Sequence, residues 1–539
     1  MRGSRVRLAW TAVTAALVAA AVSMAAAAAP ARGDGVVTAA VCGTTHWVGA
    51  WAADPSGTLG GGFADQTLRV ILTPHIGGSQ LRVHISNRYG PKPVTFTRAS
   101  VALRQTGAAL VAGSSRPLSF AGQPGVTVPA GGDVVSDPAP MTFAAFQDLA
   151  VSLYLADPTG PATGHFVGRE RSYATARSGG DHTADEAAGA FVASTATVIY
   201  LDAVDALAPA EVGAAVLFGD SVIDGYESSG PSGAEEQGGI DLNHRFPDYL
   251  ARRLAAQPGG PRLSVLNAGI SGNRLLVDAH QTGGGASGLN RLDADAAGVA
   301  GATDAIVLEG INDIGGQASV EQVTGALAEI VVRLHARGLR VLLGTITPAG
   351  TGLLNVGSLL LPVYVGTPGN LVRLAVNSWI RNGATGADGF VDFDAALRAA
   401  ALPNQLDPRY DSGDHVHPNY LGYSRMAENV DLSALRGAQC GPRLPTKLRV
   451  GARDRSRRLR VSGSLLTTAT AACAGASVTV RALRGPHTIL KRRLPVTPAC
   501  HFAATRPSMA RGRIEVRVSF AGSPTLLPTH ARSVFLEAG

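Results

Sequence analysis

The chain has 539 residues, of which 45% are hydrophobic and 16% charged. This length exceeds what one hydrophobic core usually organises, so two or three domains are expected, and the apolar content excludes a mainly disordered chain. The net charge of +7 hides an asymmetry: residues 441–539 contain 18 Lys+Arg and 3 Asp+Glu, a net +15, which leaves −8 for residues 1–440.

The first segment has the pattern of a secretory signal. Three arginines precede an uncharged, alanine-rich stretch from Leu8 to Ala31, and its small residues suit cleavage by signal peptidase. We therefore predict a signal peptide at 1–29 and a secreted, extracellular protein. The stretch is also long enough to span a bilayer, so an uncleaved membrane anchor is the alternative.

Residues 44–205 alternate apolar and polar side chains with the period of β-strands. The alternation in 68–72 and 81–85, with Gly77-Gly78 between, predicts a β-hairpin. Further strands are predicted at 94–96, 126–128, 151–155 and 197–201. We expect an N-terminal β-sandwich or jelly roll, followed by a loose joint of small residues at 205–210.

In residues 212–440 the pattern changes to alternating strands and helices. The predicted strands are 214–218, 264–267, 305–308, 340–345 and 390–393, and the predicted helices include 247–256 and 320–337. Ser319 and Gln322 have capping-box spacing at the start of the second helix. This order indicates an α/β domain, a parallel sheet with helices on both faces, which binds ligands at the carboxyl ends of its strands.

Residues 442–539 return to a β pattern. Strands are predicted at 459–461, 478–482, 514–520 and 534–536, as in an immunoglobulin-like β-sandwich. The basic charge favours either attachment to anionic cell-wall polymer or lipid headgroups, or a soluble domain without a dedicated ligand. Aromatic residues do not interleave with the arginines, so no nucleic-acid partner is expected.

The four cysteines favour disulfides in an exported chain. Among the three possible pairings we prefer Cys42 with Cys440 and Cys473 with Cys500. The sequence contains no CxxC motif and no Cys/His cluster, so neither a metal nor another cofactor is expected. We expect a monomer.

Two distant segments supply the residue types of a covalent hydrolase. Ser221 follows the strand at 214–218, and a turn-rich segment contains Asp414 and His417. A serine hydroxyl attacks poorly unless a base removes its proton and a third group orients the base. We predict Ser221 as nucleophile, His417 as base and Asp414 as orienting carboxylate. The alternative partners are His415 and Asp411.

The negative charge that develops on an ester oxygen needs fixed hydrogen-bond donors. The predicted oxyanion hole consists of the backbone N–H groups of Ser221 and Gly272 and the side-chain amide of Asn312. Alternatively, Gly272 is only a left-handed turn residue and Asn312 only a helix cap. Two further hypotheses are that Asp224 caps the helix after the nucleophile and that Arg274 meets a substrate carboxylate or phosphate or forms a surface ion pair.

Four motifs in order resemble those of the SGNH/GDSL hydrolase family. They are Gly219-Asp220-Ser221, Asn267-Ala268-Gly269-Ile270-Ser271-Gly272, Gly310-Ile311-Asn312-Asp313 and Asp414-His415-Val416-His417-Pro418. The resemblance implies a flavodoxin-like, three-layer α/β/α domain that hydrolyses carboxylic esters with the five residues named above. The nucleophile motif departs from the family's leucine-bearing form at Val222. The preceding β region looks like the N-terminal domain of a secreted bacterial subgroup.

The expected function is that of a secreted serine esterase or lipase acting through an acyl-enzyme. Its substrate is expected to be an acylated polysaccharide, a lipid or an aryl ester. Apolar residues at 353–354, 359–361 and 363 either line an acyl groove or belong to the core. The alternative is a cell-surface carbohydrate- or wall-binding protein with a vestigial hydrolase domain. The loss of a catalytic residue would indicate this alternative, but all five predicted site residues are present.

Overall fold

The computed structural model describes residues 45–228, 240–258, 260–349, 353–356, 359–362, 366–438, 446–455, 458–467, 473, 476–497, 499–507, 512–521, 529–531 and 533–538. The predicted signal peptide at 1–29 and the predicted Cys42–Cys440 pair lie outside these residues. No helix in the described part of the chain combines the length and the apolar character needed to cross a membrane.

The N-terminal region is built from β-strands that form two main sheets. One has the strand order β1-β17-β4-β10, with β11 beside β4, and the other has the order β15-β14-β3-β12-β6-β7, with β8 beside β6. The strands are β1 (Thr45–Ala52), β2 (Gly57–Leu59), β3 (Gln66–Leu72), β4 (Gly78–Ser86), β5 (Val94–Phe96), β6 (Arg98–Thr106), β7 (Ala109–Leu110), β8 (Arg116–Pro117), β9 (Val126–Val128), β10 (Asp133–Val135), β11 (Ala139–Phe143), β12 (Leu149–Leu155), β13 (Ala162–His165), β14 (Ser172–Thr175), β15 (Phe191–Thr195), β16 (Val198–Ile199) and β17 (Leu201–Pro209).

The predicted hairpin of residues 68–72 and 81–85 is wrong in its pairing. Both segments are strands, but β3 pairs with β12 and β14, whereas β4 pairs with β10, β11 and β17. Their apolar side chains, among them Leu68 and Val83, belong to the same hydrophobic cluster. The alternation therefore identified the inward face of each strand correctly, but it does not specify which strand is the partner.

The predicted loose joint at 205–210 is also wrong. Its first residues lie within β17, which pairs with both β1 and β4, and Asp205 is buried there between Arg82 and His84. The small residues that suggested a linker are instead small because the strand is packed on both sides. The chain reaches the next sheet through a turn in which the N–H of Val212 donates to the carbonyl oxygen of Pro209.

The middle region is a parallel sheet with the strand order β19-β18-β20-β21-β24. Its elements are β18 (Gly213–Gly219), α1 (Ser221–Asp224), α2 (Phe246–Ala256), β19 (Leu263–Gly269), α3 (Gly288–Leu292), β20 (Ala302–Leu308), α4 (Ile311–Gly315), α5 (Val320–Ala336), β21 (Arg340–Gly344), β22 (Leu353–Val356), β23 (Leu359–Pro362), α6 (Gly366–Asn382), β24 (Gly389–Val391), α7 (Phe393–Leu397) and α8 (Tyr420–Asn429). A π-helical turn, Asp293–Ala297, follows α3, and His280–Thr282 and Leu432–Ala434 are short 3₁₀ turns.

Helices cover both faces of this sheet, as predicted. One hydrophobic cluster joins the strands to α5 and α6, and a second joins the opposite strand faces to α2 and α8. All five predicted strands are present, and the capping box at Ser319 and Gln322 forms. The strands β18 to β21 are mostly buried because both faces of the sheet are covered, whereas the edge strand β24 exposes Phe390. Residues 353–356 and 359–362 form an antiparallel pair, β22 with β23. Residue 363, and the side chains that would decide between an acyl groove and the core, lie outside what the structure describes.

The C-terminal region consists of two further sheets, with the orders β25-β26-β29 and β28-β27-β30-β31, and with β32 beside β30. The strands are β25 (Lys447–Arg455), β26 (Arg458–Leu466), β27 (Ser477–Arg484), β28 (His487–Pro495), β29 (His501–Pro507), β30 (Gly512–Phe520), β31 (Thr529–His530) and β32 (Val534–Ala538). Apolar residues of both sheets form one cluster. The predicted Cys473–Cys500 disulfide is confirmed.

Candidate active site

An interior strand of the parallel sheet, β18, places the predicted nucleophile at the carboxyl ends of the strands. β18 ends at Gly219, and Ser221 begins the one-turn helix α1. Asp220 caps this helix, because its Oδ1 accepts a hydrogen bond of 3.0 Å from the N–H of Val222. Only glycine is accommodated at position 219, since an added Cβ would lie 2.1 Å from the carbonyl oxygen of Leu308. Ser221 is consequently held at the carboxyl end of the sheet and is 6% exposed.

The loop before α8 brings the predicted base and carboxylate to this serine. The Oγ of Ser221 lies 2.8 Å from Nε2 of His417, and Nδ1 of His417 lies 2.5 Å from Oδ2 of Asp414. The carboxylate accepts only, so Nδ1 carries the proton and Nε2 is free to accept from the serine hydroxyl. The structure therefore brings the three predicted residues into one hydrogen-bonded chain, and their catalytic roles stay predictions.

Hydrogen bonds keep the Asp414 carboxyl ionised. Burial alone would raise its pKa, but the contacts with the ring and backbone N–H of His417 and the backbone N–H of Val416 lower the pKa of Asp414 to about 2. The alternative partners are engaged with each other instead. His415 Nδ1 lies 2.5 Å from Asp411 Oδ2, and the side chain of His415 is 52% exposed.

Of the predicted oxyanion residues, Gly272 lies in the loop after β19, whereas Asn312 lies in α4, whose N-cap is Gly310. Gly272 has φ +79°, a conformation that favours glycine, so the interpretation as a left-handed turn residue is correct in itself and leaves the donor role open. The side-chain amide of Asn312 donates a hydrogen bond of 2.8 Å to the carbonyl oxygen of Asn273. Asp313 accepts from the N–H of Leu275 at 2.8 Å. The loop after Gly272 is thereby fastened to α4.

A cavity of about 500 Å³ opens beside the glycine loop. Gly272 lines its edge, and the other lining residues belong to the following segment: Arg274, Val277, Asp278, Ala279, His280, Gln281 and Thr282. Arg274 lines this cavity, where the sequence hypothesis of a contact with a substrate anion would place it. Burial raises the pKa of the nearby Asp313, and the charge of Arg274 offsets only part of this rise. Within the described ranges, no three His, Cys, Asp or Glu residues are grouped closely enough to hold a metal ion.

Residues 217–425 match the model of the GDSL-like Lipase/Acylhydrolase family. This segment is a GDSL-like lipase/acylhydrolase domain. It includes all five predicted site residues, and it identifies the protein as a carboxylic ester hydrolase. A comparison with curated proteins finds no match.

Solved structures of low sequence identity resemble part of the chain. An acetylxylan esterase from Geobacillus stearothermophilus is 18% identical, with 41% of this chain and 94% of that chain covered and a TM-score of 0.27. A member of the lipolytic protein G-D-S-L family from Veillonella parvula is 17% identical, with 40% and 95% covered and a TM-score of 0.26. An α/β hydrolase enzyme from the metagenome of Lake Arreo is 20% identical, with 42% and 95% covered and a TM-score of 0.29.

Arg291 is a buried residue of the GDSL-like domain that sequence reasoning missed. It is 3% exposed, and its guanidinium donates to the carbonyl oxygens of Gly219 at 2.8 Å and Ala268 at 2.9 Å and to Oδ1 of Asn273 at 2.8 Å. One cation thereby ties the carboxyl ends of β18 and β19 to the loop after Gly272. Nothing in the local sequence singles out this arginine among 47 Lys and Arg residues.

Asp224 does not cap α1, in contrast to one of the sequence hypotheses. Asp220 does so, and Asp224 lies at the other end of the helix with no exposed surface. Its Oδ2 accepts from the backbone N–H of Ser271 at 2.8 Å and from the hydroxyl of Ser271 at 2.6 Å. Its Oδ1 lies 3.0 Å from Nε2 of His165 in the N-terminal β region. The sequence carries no motif around His165 that could have pointed to this contact.

Proposed function

We propose that the protein is an exported serine esterase that hydrolyses carboxylic esters through an acyl-enzyme intermediate. The observation that carries this proposal is the 2.8 Å contact between Ser221 Oγ and His417 Nε2, with Asp414 on the far side of the imidazole. Export is supported by the signal-like sequence of residues 1–29.

The first half of the reaction forms an ester on the enzyme. Ser221 Oγ attacks the substrate carbonyl carbon while its proton moves to His417 Nε2, and Asp414 stabilises the resulting imidazolium. The N–H groups of Ser221 and Gly272 and the amide of Asn312 are the proposed donors to the oxyanion. When the tetrahedral intermediate collapses, the bond to the alcohol oxygen breaks and His417 returns the proton to that oxygen.

The second half releases the acid. Water attacks the carbonyl carbon of the acyl group on Ser221, and His417 Nε2 takes the proton of this water. The same donors hold the second oxyanion. Cleavage of the acyl–Oγ bond then frees the carboxylic acid, and the proton on His417 returns to the serine oxygen. No external co-reactant other than water is consumed.

For the substrate we propose an acylated carbohydrate in preference to a long-chain lipid. A long acyl chain needs an extended apolar wall, whereas a sugar with many hydroxyls needs hydrogen-bonding groups. In the cavity beside Gly272, Val277 is the one large apolar lining residue, and five of the eight lining residues have polar side chains: Arg274, Asp278, His280, Gln281 and Thr282. This lining favours the polar substrate.

Ser221→Ala tests the mechanism, with acetylated xylan, medium-chain acylglycerols and short phenyl esters as the substrate panel. We expect kcat on every hydrolysed substrate to fall on the order of 10⁴-fold or more, because the nucleophile is lost. The thermal unfolding midpoint should stay near that of the wild type. Among the wild-type rates, turnover of the acetylated xylan should exceed turnover of the acylglycerols.

His417→Ala and His415→Ala form a matched pair of controls in one loop. The first should lose activity like the serine variant, and the second should keep it, because His415 is paired with Asp411. Full turnover by a folded Ser221→Ala protein would refute the mechanism. A wild-type protein that binds acetylated xylan without hydrolysing any ester would support the vestigial, carbohydrate-binding alternative instead.

We further propose that the C-terminal region attaches the enzyme to an anionic cell-wall polymer. In the sheet β28-β27-β30, Arg481 lies directly opposite Lys491 on one side and Arg517 on the other, and all three are exposed. Like charges directly opposite each other destabilise a sheet. Glu515 offsets part of this charge through its ion pair with Arg517 at 2.8 Å. The remaining positive row fits a polymer that carries repeated negative charges.

The double variant Arg481→Glu/Lys491→Glu tests this attachment, with co-sedimentation on purified phosphate-containing wall polymer as the measurement. We expect binding to weaken on the order of tenfold or more, since each cation near an anionic surface contributes about 1 kcal/mol. Lys447→Glu/Arg449→Glu, on exposed positions of the other sheet, makes the same change in net charge and should retain binding. If both double variants lost binding equally, the net charge of the region alone would explain the attachment, and the proposed surface would be wrong.

A further inference from the structure

The N-terminal β region contributes a buried histidine beneath the candidate active site. His165 ends β13 and is 3% exposed. Its Nδ1 lies 2.8 Å from the carbonyl oxygen of Asp54, and its Nε2 lies 3.0 Å from Oδ1 of Asp224. With Asp224 as a carboxylate, both neighbours are acceptors, so both ring nitrogens donate and the ring is an imidazolium. Burial has the largest single effect and lowers the pKa of His165, but the charge and hydrogen bond of Asp224 and the hydrogen bond to Asp54 together outweigh it, so the net shift is upward.

Asp224 passes this contact on to the glycine loop. It is the last residue of α1, the one-turn helix that Ser221 begins, and it is fully buried. The oxygen that does not face His165 accepts two hydrogen bonds from Ser271, the residue before Gly272. A carboxyl group in this position accepts both hydrogen bonds from Ser271 only while it is correctly rotated. His165 fixes this rotation, because it occupies the other oxygen.

We propose that His165 is a positioning residue for the oxyanion hole, which acts through Asp224 on Ser271 and thereby on the backbone N–H of Gly272. The inference rests on the proposed esterase function and adds to it: the N-terminal β region completes the active site. His165 does not touch the substrate. Its effect should appear in the stabilisation of the transition state, since the donors must face the oxygen as it becomes charged.

A second buried histidine of the same region provides a matched control. His75 is 8% exposed, its Nδ1 lies 2.6 Å from the carbonyl oxygen of Val265 and its Nε2 lies 3.3 Å from Asp248. It therefore joins the N-terminal region to the GDSL-like domain with the same chemistry as His165. Asp248 belongs to α2 and not to the glycine loop. A merely structural role for both histidines would make their variants behave alike.

The test compares His165→Leu, His165→Gln and His75→Gln in the full-length protein on a short p-nitrophenyl ester. The fraction of competent enzyme is counted by complete labelling of Ser221 with a fluorophosphonate, and unfolding midpoints are measured in parallel. For His165→Leu we expect kcat per labelled site to fall about ten- to a hundredfold with KM within about threefold, the pattern of a misplaced transition-state donor. Glutamine retains one N–H donor toward Asp224, so His165→Gln should recover part of this loss. His75→Gln should keep the wild-type kcat.

The possible outcomes separate this inference from the function on which it rests. Wild-type protein without ester turnover would overturn both. Normal kcat in folded His165→Leu, or an equal loss in His75→Gln, would overturn the positioning role and leave the esterase assignment intact. If His165→Leu does not fold, Asp224→Asn decides: the inference requires the same fall in kcat with little change in KM, and wild-type kcat in this variant would refute it. Ser271→Ala keeps the backbone N–H that donates to Asp224, so its kcat should fall less.

Discussion

At the scale of single residues, the protein buries several carboxyl groups whose neighbouring cations do not fully offset the cost of burying a negative charge. Glu170 is 4% exposed, and burial together with the nearby Asp148 raises its pKa to about 8, although Arg104 lies 3.7 Å away. In the unfolded chain the same group titrates near 4.5. Between about pH 4.5 and 8, the folded state therefore keeps a proton on Glu170 that the unfolded state has lost. This contribution to stability is complete below about pH 4.5 and is lost as the pH rises toward 8.

Glu170→Gln should consequently change the pH dependence of stability. Glutamine resembles the neutral carboxyl, so the variant should match the wild type near pH 5 and exceed it at pH 9 by about 3–5 kcal/mol in the free energy of unfolding, since one pKa unit corresponds to about 1.4 kcal/mol. Chemical denaturation at a series of pH values measures this difference. Glu428→Gln, a change at a side chain that is 55% exposed, serves as the control and should give a difference that does not vary with pH. A constant difference for Glu170→Gln as well would show that this carboxyl is ionised in the folded protein.

At the scale of elements, the sequence predicts strands far better than their partners. Four strands of the parallel sheet, β18 to β21, are mostly buried on both faces, so each contains an apolar run that can be recognised without its partner. The edge strand β24 has three residues and exposes Phe390. In the N-terminal region the alternation identified β3 and β4 but not the sheet to which each belongs. A strand's partner depends on the path of its connection through space, and the turn at Gly77-Gly78 does not reveal that path.

The candidate site divides in the same way. Ser221, His417 and Asp414 could be found because parallel strands end at one edge, where loops that are distant in sequence meet. His165 and Arg291 could not be found. Each acts through a partner that local pattern does not specify: His165 is 59 residues from Asp224, and Arg291 is 72 residues from Gly219. Their roles follow from burial and from the acceptors that surround them, which only the assembled elements provide.

At the scale of the whole molecule, the N-terminal β region and the GDSL-like domain share a core. Val48 of β1 and Ala208 of β17 belong to the same hydrophobic cluster as Val216 of β18. An added Cβ at Gly49 would lie 2.6 Å from Leu266 of β19, so the strands pack with no room for a side chain there. Because this apolar surface is buried only when both regions are folded, we expect them to unfold as one cooperative unit.

The C-terminal sandwich has a separate cluster, whose buried members in the described residues all come from its own strands and connections. It should therefore unfold in a transition of its own. Its Cys473–Cys500 disulfide joins cysteines 27 residues apart and restricts only this part of the unfolded chain.

Cys473→Ser/Cys500→Ser should accordingly destabilise one of two calorimetric transitions by about 2–4 kcal/mol and leave the other in place. Ester turnover after brief heating identifies the transition that the cysteine variant leaves in place, because activity should disappear with the unit that contains Ser221 and His165. Cysteine variants change only this disulfide, whereas a reductant acts on disulfides without selection. A single transition for the whole chain, or a shift of the activity-linked transition in the double variant, would mean that the sandwich is thermodynamically coupled to the catalytic unit. Separate transitions would mean that the C-terminal region can unfold while the unit that contains Ser221 stays folded and active.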